Sequence, residues 1–499
     1  MSADEGLIHV AKGGGIAFIG TAGSRALSYI YSMALIWVLG AEAFGQFTLA
    51  LAVVTFIGLL ASIGFPQGII RYAAIQMALH GKSGVHQVVL TALKVVIPVS
   101  LVLTGVMAAA AGFLAGSVFQ KPELKQIIIT LTVSIPFMSL QSVFLAATRA
   151  MKEMKYTTIA QIVQPLIALL LAFGLAAAGM GTNGASLAFV VSYIVAAALA
   201  GMYYLRSIPK PDRKGERFPL AEILKFSIPL SLTEWMQYAN ERLEIFFLGL
   251  LPGAVGISIY KIAWSLAGLE TLLRLSLEQI LAPYSSDLAH RREITQLEAL
   301  YKTTAKWGFT AALMIFFVYV LFGRQIMGIF DPNLVNGAGI LVILGLGQLF
   351  NEFTGAGNTV LIMSGRSGLS LLNTIILFVT SAALNWLLIP RLEVLGAAIA
   401  GAISLFLLNI LRVLEVWWIL KIHPFKLSFI KPVIIGSIAA GVIFLVSRFV
   451  YSGSLLLDAV AAVIFCLLFG AGIFLFRLDE EDKLVIAAML KRFRHAHQV

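Results

Sequence analysis

The sequence predicts an all-α polytopic membrane protein with about fourteen transmembrane helices. They are expected to form two six-helix lobes related by a parallel pseudo-two-fold repeat, plus a C-terminal helix pair. Three observations carry this reading. The 499 residues are 59% hydrophobic and only 12% charged, with a mean hydropathy of +0.93, whereas soluble domains average about a quarter charged residues. Apolar runs of about 20 residues, the length that crosses a bilayer, recur from end to end. Stretches of the second half also echo the first at an offset of about 211 residues.

The apolar runs place spans at 13–39, 45–72, 86–113, 126–149, 157–180, 183–205 and 221–250. Further spans follow at 254–284, 303–324, 335–363, 367–389, 395–420, 432–451 and 454–476. The start, "MSADEGLIHVAKGGG", opens on acids and lacks a basic region, so no cleaved signal peptide is expected. Cys466 is the single cysteine, which excludes an intrachain disulfide and a cysteine-based metal cluster.

A net charge of +11 would suggest nucleic acid in a soluble protein. Here its location decides. With the N-terminus inside, the inner connections hold most of the Lys and Arg, densest in "RSIPKPDRKGERFPL" at 206–220. The outer connections hold only Lys121, Lys125, Arg324, Arg391 and Arg448. This bias predicts a multi-pass protein of the cytoplasmic (inner) membrane with both termini in the cytoplasm. The charge then meets anionic membrane lipid, and no nucleic-acid partner is expected.

The 206–220 connection reads as a cytoplasmic linker between an N-lobe, 1–205, and a C-lobe, 221–420. "NGASLAFVVS" (183–192) matches "LGAAIAGAIS" (395–404), and "LGAEAFGQF" (39–47) resembles "LLPGAVGIS" (250–258). "AMKEMKY" (150–156) has a counterpart in "LIMSGRS" (361–367). An even number of spans per lobe gives both the same orientation, so the pseudo-axis runs along the membrane normal beside a cleft. Residues 421–476 form the extra pair, and 477–499 an amphipathic cytoplasmic tail with acids first and bases last. That tail lies on the inner leaflet or is solvated or partner-bound. Pro98, Pro136, Pro165 and Pro229 fall inside spans, as kinks for rocking lobes or as static packing devices.

Charges at membrane depth are the candidate site. Each costs at least about 2.5–3.5 kcal/mol at the centre of a span, so it faces a cavity or a partner. On span eight Glu270, Arg274 and Glu278 fall within about 80° of one another, so that face cannot look at lipid. The ladder is either self-neutralising or a binding surface. Span seven aligns Glu234, Tyr238 and Glu241, and span ten aligns Gln348, Asn351 and Glu352. Arg412 and Glu415 on span twelve read as a structural intrahelical pair. Arg25, roughly 18 Å into span one, has no acid near it along its half of the chain. Glu234, Glu241, Asn373 and Asn385 offer oxygens for a coupling Na⁺ or a carboxylate for H⁺, or satisfy one another within the lobe.

No enzyme signature is present: there is no HExxH, no GxxxxGK and no GxSxG. Neither catalytic residues nor a cofactor nor a resident metal is expected. Without a nucleotide site, energy comes from an ion gradient or the substrate's own gradient. Mid-depth arginines suit a large anion, because guanidinium grips phosphate with two prongs and stays charged. Nearby Gln, Asn and Tyr suit sugar hydroxyls.

"WVLGAEAFGQFTLALAVVTFIGLLASIGFPQGIIRYAA", "LKFSIPLSL", "VGISIYKIA", "LAPYSSDLA" and "NWLLIPRLEVLGAAIAGAIS" resemble the polysaccharide transport family, the Wzx-type oligosaccharide flippases. These belong to the multidrug/oligosaccharidyl-lipid/polysaccharide exporter superfamily, and the resemblance covers about residues 10–425. It implies alternating access and movement of polyprenyl-diphosphate-linked oligosaccharide from the inner to the outer leaflet, alongside other polysaccharide-assembly proteins. Related lipid II flippases use cavity arginines on spans one and eight, where Arg25 and Arg274 stand. Their further arginine inside span two has no match in "VVTFIGLLASIG", which argues against lipid II. Their extra hairpin lines a groove for the lipid tail, a role implied for 432–476. The rivals are an ion-coupled exporter of drugs or other small solutes, and a membrane polymerase or ligase of the polysaccharide pathway. The first would normally lack the last two spans, and the second would carry a large outer loop.

Overall fold

The computed structural model describes residues 23–24, 26–151, 153–208, 218–291, 293–450 and 455–475. Among them every regular element is helical. The chain runs through α1 (Ala26–Leu39), α2 (Ala41–Ser62), α3 (Phe65–Phe113), α4 (Leu124–Thr132), α5 (Ser134–Ala150), α6 (Met154–Ala177), α7 (Gly181–Ser207) and α8 (Leu220–Gly249). It continues through α9 (Val255–Ala267), α10 (Leu272–Arg291), α11 (Ile294–Phe330), α12 (Ala338–Phe353), α13 (Gly357–Met363), α14 (Ser367–Leu420), α15 (Ile430–Val450) and α16 (Leu455–Leu475).

Nine helices among the described residues are long and apolar enough to cross a membrane. Two of them hold two passes each: Ala41–Val118 turns at Gly81, and Gly368–Leu420 turns at Glu393. Both residues leave the helical region, with φ of 63° and 49°. The short α1, the charge-bearing α8 and the interrupted α9–α10 complete about fourteen passes. The protein is a multi-pass membrane protein, as its hydropathy predicts.

Contacts group the chain into two compact units, residues 1–258 and 259–499. In the first, α3 and α7 pack on α5, α6 packs on α7, and α8 packs on α2 and α3. Phe65, Val88, Val89, Val143, Ala147 and Tyr204 form a core there. The repeat boundary expected at 206–220 concerns how the sequence duplicates, which is a different matter from packing. Span two, expected as one run, is broken. Ile63 and Gly64 take φ of 47° and 64°, and Pro66 starts the next helix. A Cβ on Gly64 would come within 2.5 Å of the Ser227 carbonyl oxygen, so glycine supplies both the left-handed turn and the close approach of α8.

The α8–α9 turn is clamped within this unit. Lys121, 5% exposed, donates to the carbonyls of Gly249 at 2.7 Å and Leu251 at 2.6 Å. A Glu42 carboxylate oxygen accepts from the amides of Ala254 at 3.0 Å and Val255 at 3.1 Å, capping the free N–H groups of α9. The Ser258 hydroxyl donates to the Ala41 carbonyl. Burial pulls the Lys121 ammonium below its ordinary value, and the charge of Glu42 partly restores it.

In the second unit α11 packs on α10, α12 and α15, and α14 packs on α12 and α13. Phe322, Ile435, Phe465 and Phe469 dock the terminal pair α15–α16 onto α11. Two interruptions matter for the site. A 3₁₀ turn, Gly268–Thr271, separates α9 from α10. Gly355, at φ 67°, separates α12 from α13, where a Cβ would come 2.7 Å from that of Ala305.

Candidate functional site

Arg274 lies in the first turn of α10, directly after the 3₁₀ turn. Its Nη1 donates to Glu278 Oε1 at 2.6 Å and its Nε to Glu352 Oε1 at 2.7 Å. The three side chains differ in access. Glu352 is fully buried, while Arg274 and Glu278 are 20% and 21% exposed. One carboxylate is therefore a fixed anchor and the other an accessible rung.

Glu270 does not supply the first rung expected of it. It sits in the 3₁₀ turn, 1% exposed, with neither carboxyl oxygen hydrogen-bonded. The expected stacking of 270 on 274 assumes a continuous α-helix. A 3₁₀ turn winds three residues per turn instead of 3.6 and rotates Glu270 off that face. It turns toward α12, where a Cβ on Gly345 would come within 2.9 Å of its Oε1. Glu352 takes the vacated place beside Arg274. On the other side of Glu352, a Cβ on Gly308 would come within 2.8 Å of its Oε2. These two glycines make room for two buried carboxyl groups, a signal that charge spacing alone does not reveal.

Arg412 also departs from its expected pairing. Glu415 instead accepts a 2.7 Å hydrogen bond from Asn373 Nδ2, and Arg412 Nε has no partner. Arg412 interacts electrostatically with Arg274, Glu278, Glu415 and Tyr301. The second unit therefore gathers two arginines around Glu278, with Glu415 also acting on Arg412. Span order hides this, because the two arginines lie on α10 and α14.

The other sequence-predicted residues are used locally. Gln348 accepts from Asn351 at 3.3 Å within α12. Tyr238 donates to the Ala52 carbonyl at 3.1 Å and stacks on Phe56. Glu234 accepts from Gln67 at 3.0 Å, and Glu241 is exposed. Asn373 and Asn385 are buried but stand twelve residues apart on α14, about 18 Å along a helix. They do not share one ion site; Asn385 Nδ2 donates to Ser381. Arg25 lies outside the described residues. Among those residues no group of three or more His, Cys, Asp or Glu is placed to hold a metal.

The profile of the family described as "Polysaccharide biosynthesis protein" matches residues 10–289, more than half of the chain. The chain belongs to the polysaccharide biosynthesis protein family. Two Haloferax volcanii proteins are similar to it. The probable low-salt glycan biosynthesis flippase Agl15 is 23% identical over 240 residues, 46% of this chain and 48% of that protein. The probable flippase AglR is 24% identical over 204 residues, 38% of this chain and 42% of its own. The chain thus spans about half the length of the curated relatives it matches or less.

Solved structures establish the fold of this polysaccharide biosynthesis protein. The lipid II flippase MurJ in an inward closed conformation matches with a TM-score of 0.75 at 14% identity, covering 92% of this chain and 98% of that one. An inward-facing multidrug resistance MATE family transporter of the MOP superfamily gives 0.67 at 18% identity, covering 81% and 98%. The family match includes Glu270, Arg274 and Glu278 but ends before Glu352 and Arg412. Two of these five charged residues thus lie beyond the matched stretch.

Proposed function

We propose that this polysaccharide biosynthesis protein is a flippase carrying polyprenyl-diphosphate-linked oligosaccharide from the inner to the outer leaflet by alternating access. The observation that carries the reading is the partly exposed Arg274 guanidinium, held between accessible Glu278 and buried Glu352. Family membership and the flippase names of the two Haloferax relatives support it. A diphosphate suits the planar guanidinium fork, two prongs to two phosphate oxygens. Glu278 neutralises Arg274 in the empty site and yields to the incoming phosphate, while Glu352 keeps the guanidinium aimed. Arg412 adds a second positive charge against Glu278 and Glu352. Once Glu278 yields, the two arginines outweigh the remaining Glu352, which favours an anionic cargo over the cationic drugs of the rival exporter reading.

On this reading the lobes at 1–205 and 221–420 provide the alternating access, with 421–476 as a groove for the lipid tail. The protein resides in the cytoplasmic membrane with both termini inside. Na⁺ or H⁺ is the coupling ion, Glu234 or Glu241 offering the carboxylate. The test is reconstitution in liposomes with purified lipid-linked oligosaccharide and a leaflet-accessibility assay. The parent protein should flip the lipid, and Arg274→Ala should abolish flipping with normal membrane insertion. Unimpaired flipping by Arg274→Ala, or failure only through lost accumulation, would make the cluster structural.

A further inference from the structure

The first unit contains a separate polar cavity of about 370 Å³, bounded by α2, α5, α6, α7 and α8. Its walls include Arg149, Gln141, Gln161, Gln164, Tyr193 and Tyr238 and, among the described residues, no carboxylate. Arg149 closes the span expected at 126–149, and α5 runs on to Ala150 and holds it in its last helical turn. Arg149 is half-buried, and nothing pairs with it among the described residues. An unneutralised guanidinium inside a membrane bundle is costly, and the missing counter-charge defines what fits there.

The hydrogen-bonding inventory narrows the fit. Gln164 Nε2 is committed to Ser192 at 3.1 Å, and the Tyr238 hydroxyl to Ala52. The side-chain amides of Gln141 and Gln161 remain uncommitted among the described residues. Each offers donors and an acceptor together, the pattern a sugar hydroxyl answers. The volume is that of a small-ligand site.

We propose that this cavity is a second substrate subsite that takes a sugar phosphate, with Arg149 on the phosphate and Gln141 and Gln161 on sugar hydroxyls. The proposal rests on the flippase reading and adds to it a place where the head group is read as a glycan.

The full chain in neutral detergent serves for the test. The probes are a farnesyl-diphosphate-linked disaccharide, farnesyl diphosphate without sugar, and phosphatidylglycerol. Arg149→Gln should weaken binding of the disaccharide probe about tenfold or more, and Arg149→Lys less, because charge survives without the fork. Gln141→Ala with Gln161→Ala should weaken the disaccharide probe and leave farnesyl diphosphate unchanged. A reporter needing no arginine change is Ser142→Cys, on the cavity wall, with Cys466→Ala. Its thiol labelling should be blocked by the disaccharide probe. Full binding by Arg149→Gln with an unprotected thiol, while Arg274→Ala loses the probe, overturns the subsite and leaves the flippase reading standing. Equal protection by phosphatidylglycerol makes the cavity a lipid-headgroup site and overturns the proposal. If no probe binds the parent protein, both readings fall.

Discussion

Arg274 and Glu352 lie 78 residues apart in the chain and meet at 2.7 Å. Each borders a helix interruption, the 3₁₀ turn before α10 and the Gly355 break after α12. The pair therefore joins two discontinuous helices where backbone continuity is lost. Alanine at Glu352 should lower stability by about 2 kcal/mol. That is less than the roughly 3–5 of a fully buried pair, since Arg274 is partly exposed and keeps Glu278. Replacing both partners by leucine should restore most of the melting temperature in detergent without restoring flipping. A double variant as unstable as Glu352→Ala would mean that the pair is not what links these helices.

The clamp on the α8–α9 turn gives a second expectation. Glu42 satisfies two amides at the start of α9, so Glu42→Ala should cost about 1–2 kcal/mol. A Cβ on Gly45 would overlap the Ala254 carbonyl. Gly45→Val should therefore destabilise at least as much, through overpacking of about 1–3 kcal/mol. Thermal melts of purified variants decide; a Gly45→Val melt equal to the parent would disprove the close approach.

Lys121 adds a pH dependence. Burial lowers its folded value below the ordinary 10.5, so the folded state binds fewer protons than the unfolded state between those two values. Stability from this group therefore rises as pH climbs through that alkaline window, and is lost as pH falls through the folded value. Lys121→Met should melt lower than the parent, having stranded the Gly249 and Leu251 carbonyls, and the gap should widen toward pH 10.5. A gap that narrows with rising pH contradicts the burial effect.

Much of the fold is legible in the sequence because the bilayer imposes length and apolarity on every span. The left-handed breaks at Ile63–Gly64 and Gly355 are less so, since both lie inside apolar runs that read as continuous. The site follows the same division. Charge in a membrane helix marks Arg274, Glu278 and Glu352 as residues needing partners. Which partner each finds depends on backbone geometry, and the 3₁₀ turn that displaces Glu270 has no compositional mark. Arg149 draws no notice in the sequence for a simpler reason: a basic residue at the end of an apolar run looks the same whether it enters the loop or lines a cavity.

The reassignment of Arg412 gives the last expectation. If Arg412 and Glu415 were a structural pair, neutralising either would have the same effect. They differ in their contacts, since Glu415 is hydrogen-bonded by Asn373 and acts on Arg412 only through charge, while Arg412 also interacts with Arg274 and Glu278. Glu415→Gln keeps an acceptor for Asn373 and should change flipping less than threefold, about 0.6 kcal/mol. Arg412→Gln removes positive charge from the cluster and should raise the lipid-linked substrate concentration needed for half-maximal flipping by tenfold or more, about 1.4 kcal/mol. Its melting temperature should stay near the parent's, because removing an unpartnered guanidinium Nε strands nothing. Dose–response curves in proteoliposomes, read beside detergent melts, separate the two roles. Equal losses from Glu415→Gln and Arg412→Gln, accompanied by equal drops in melting temperature, would return Arg412 to a structural pair.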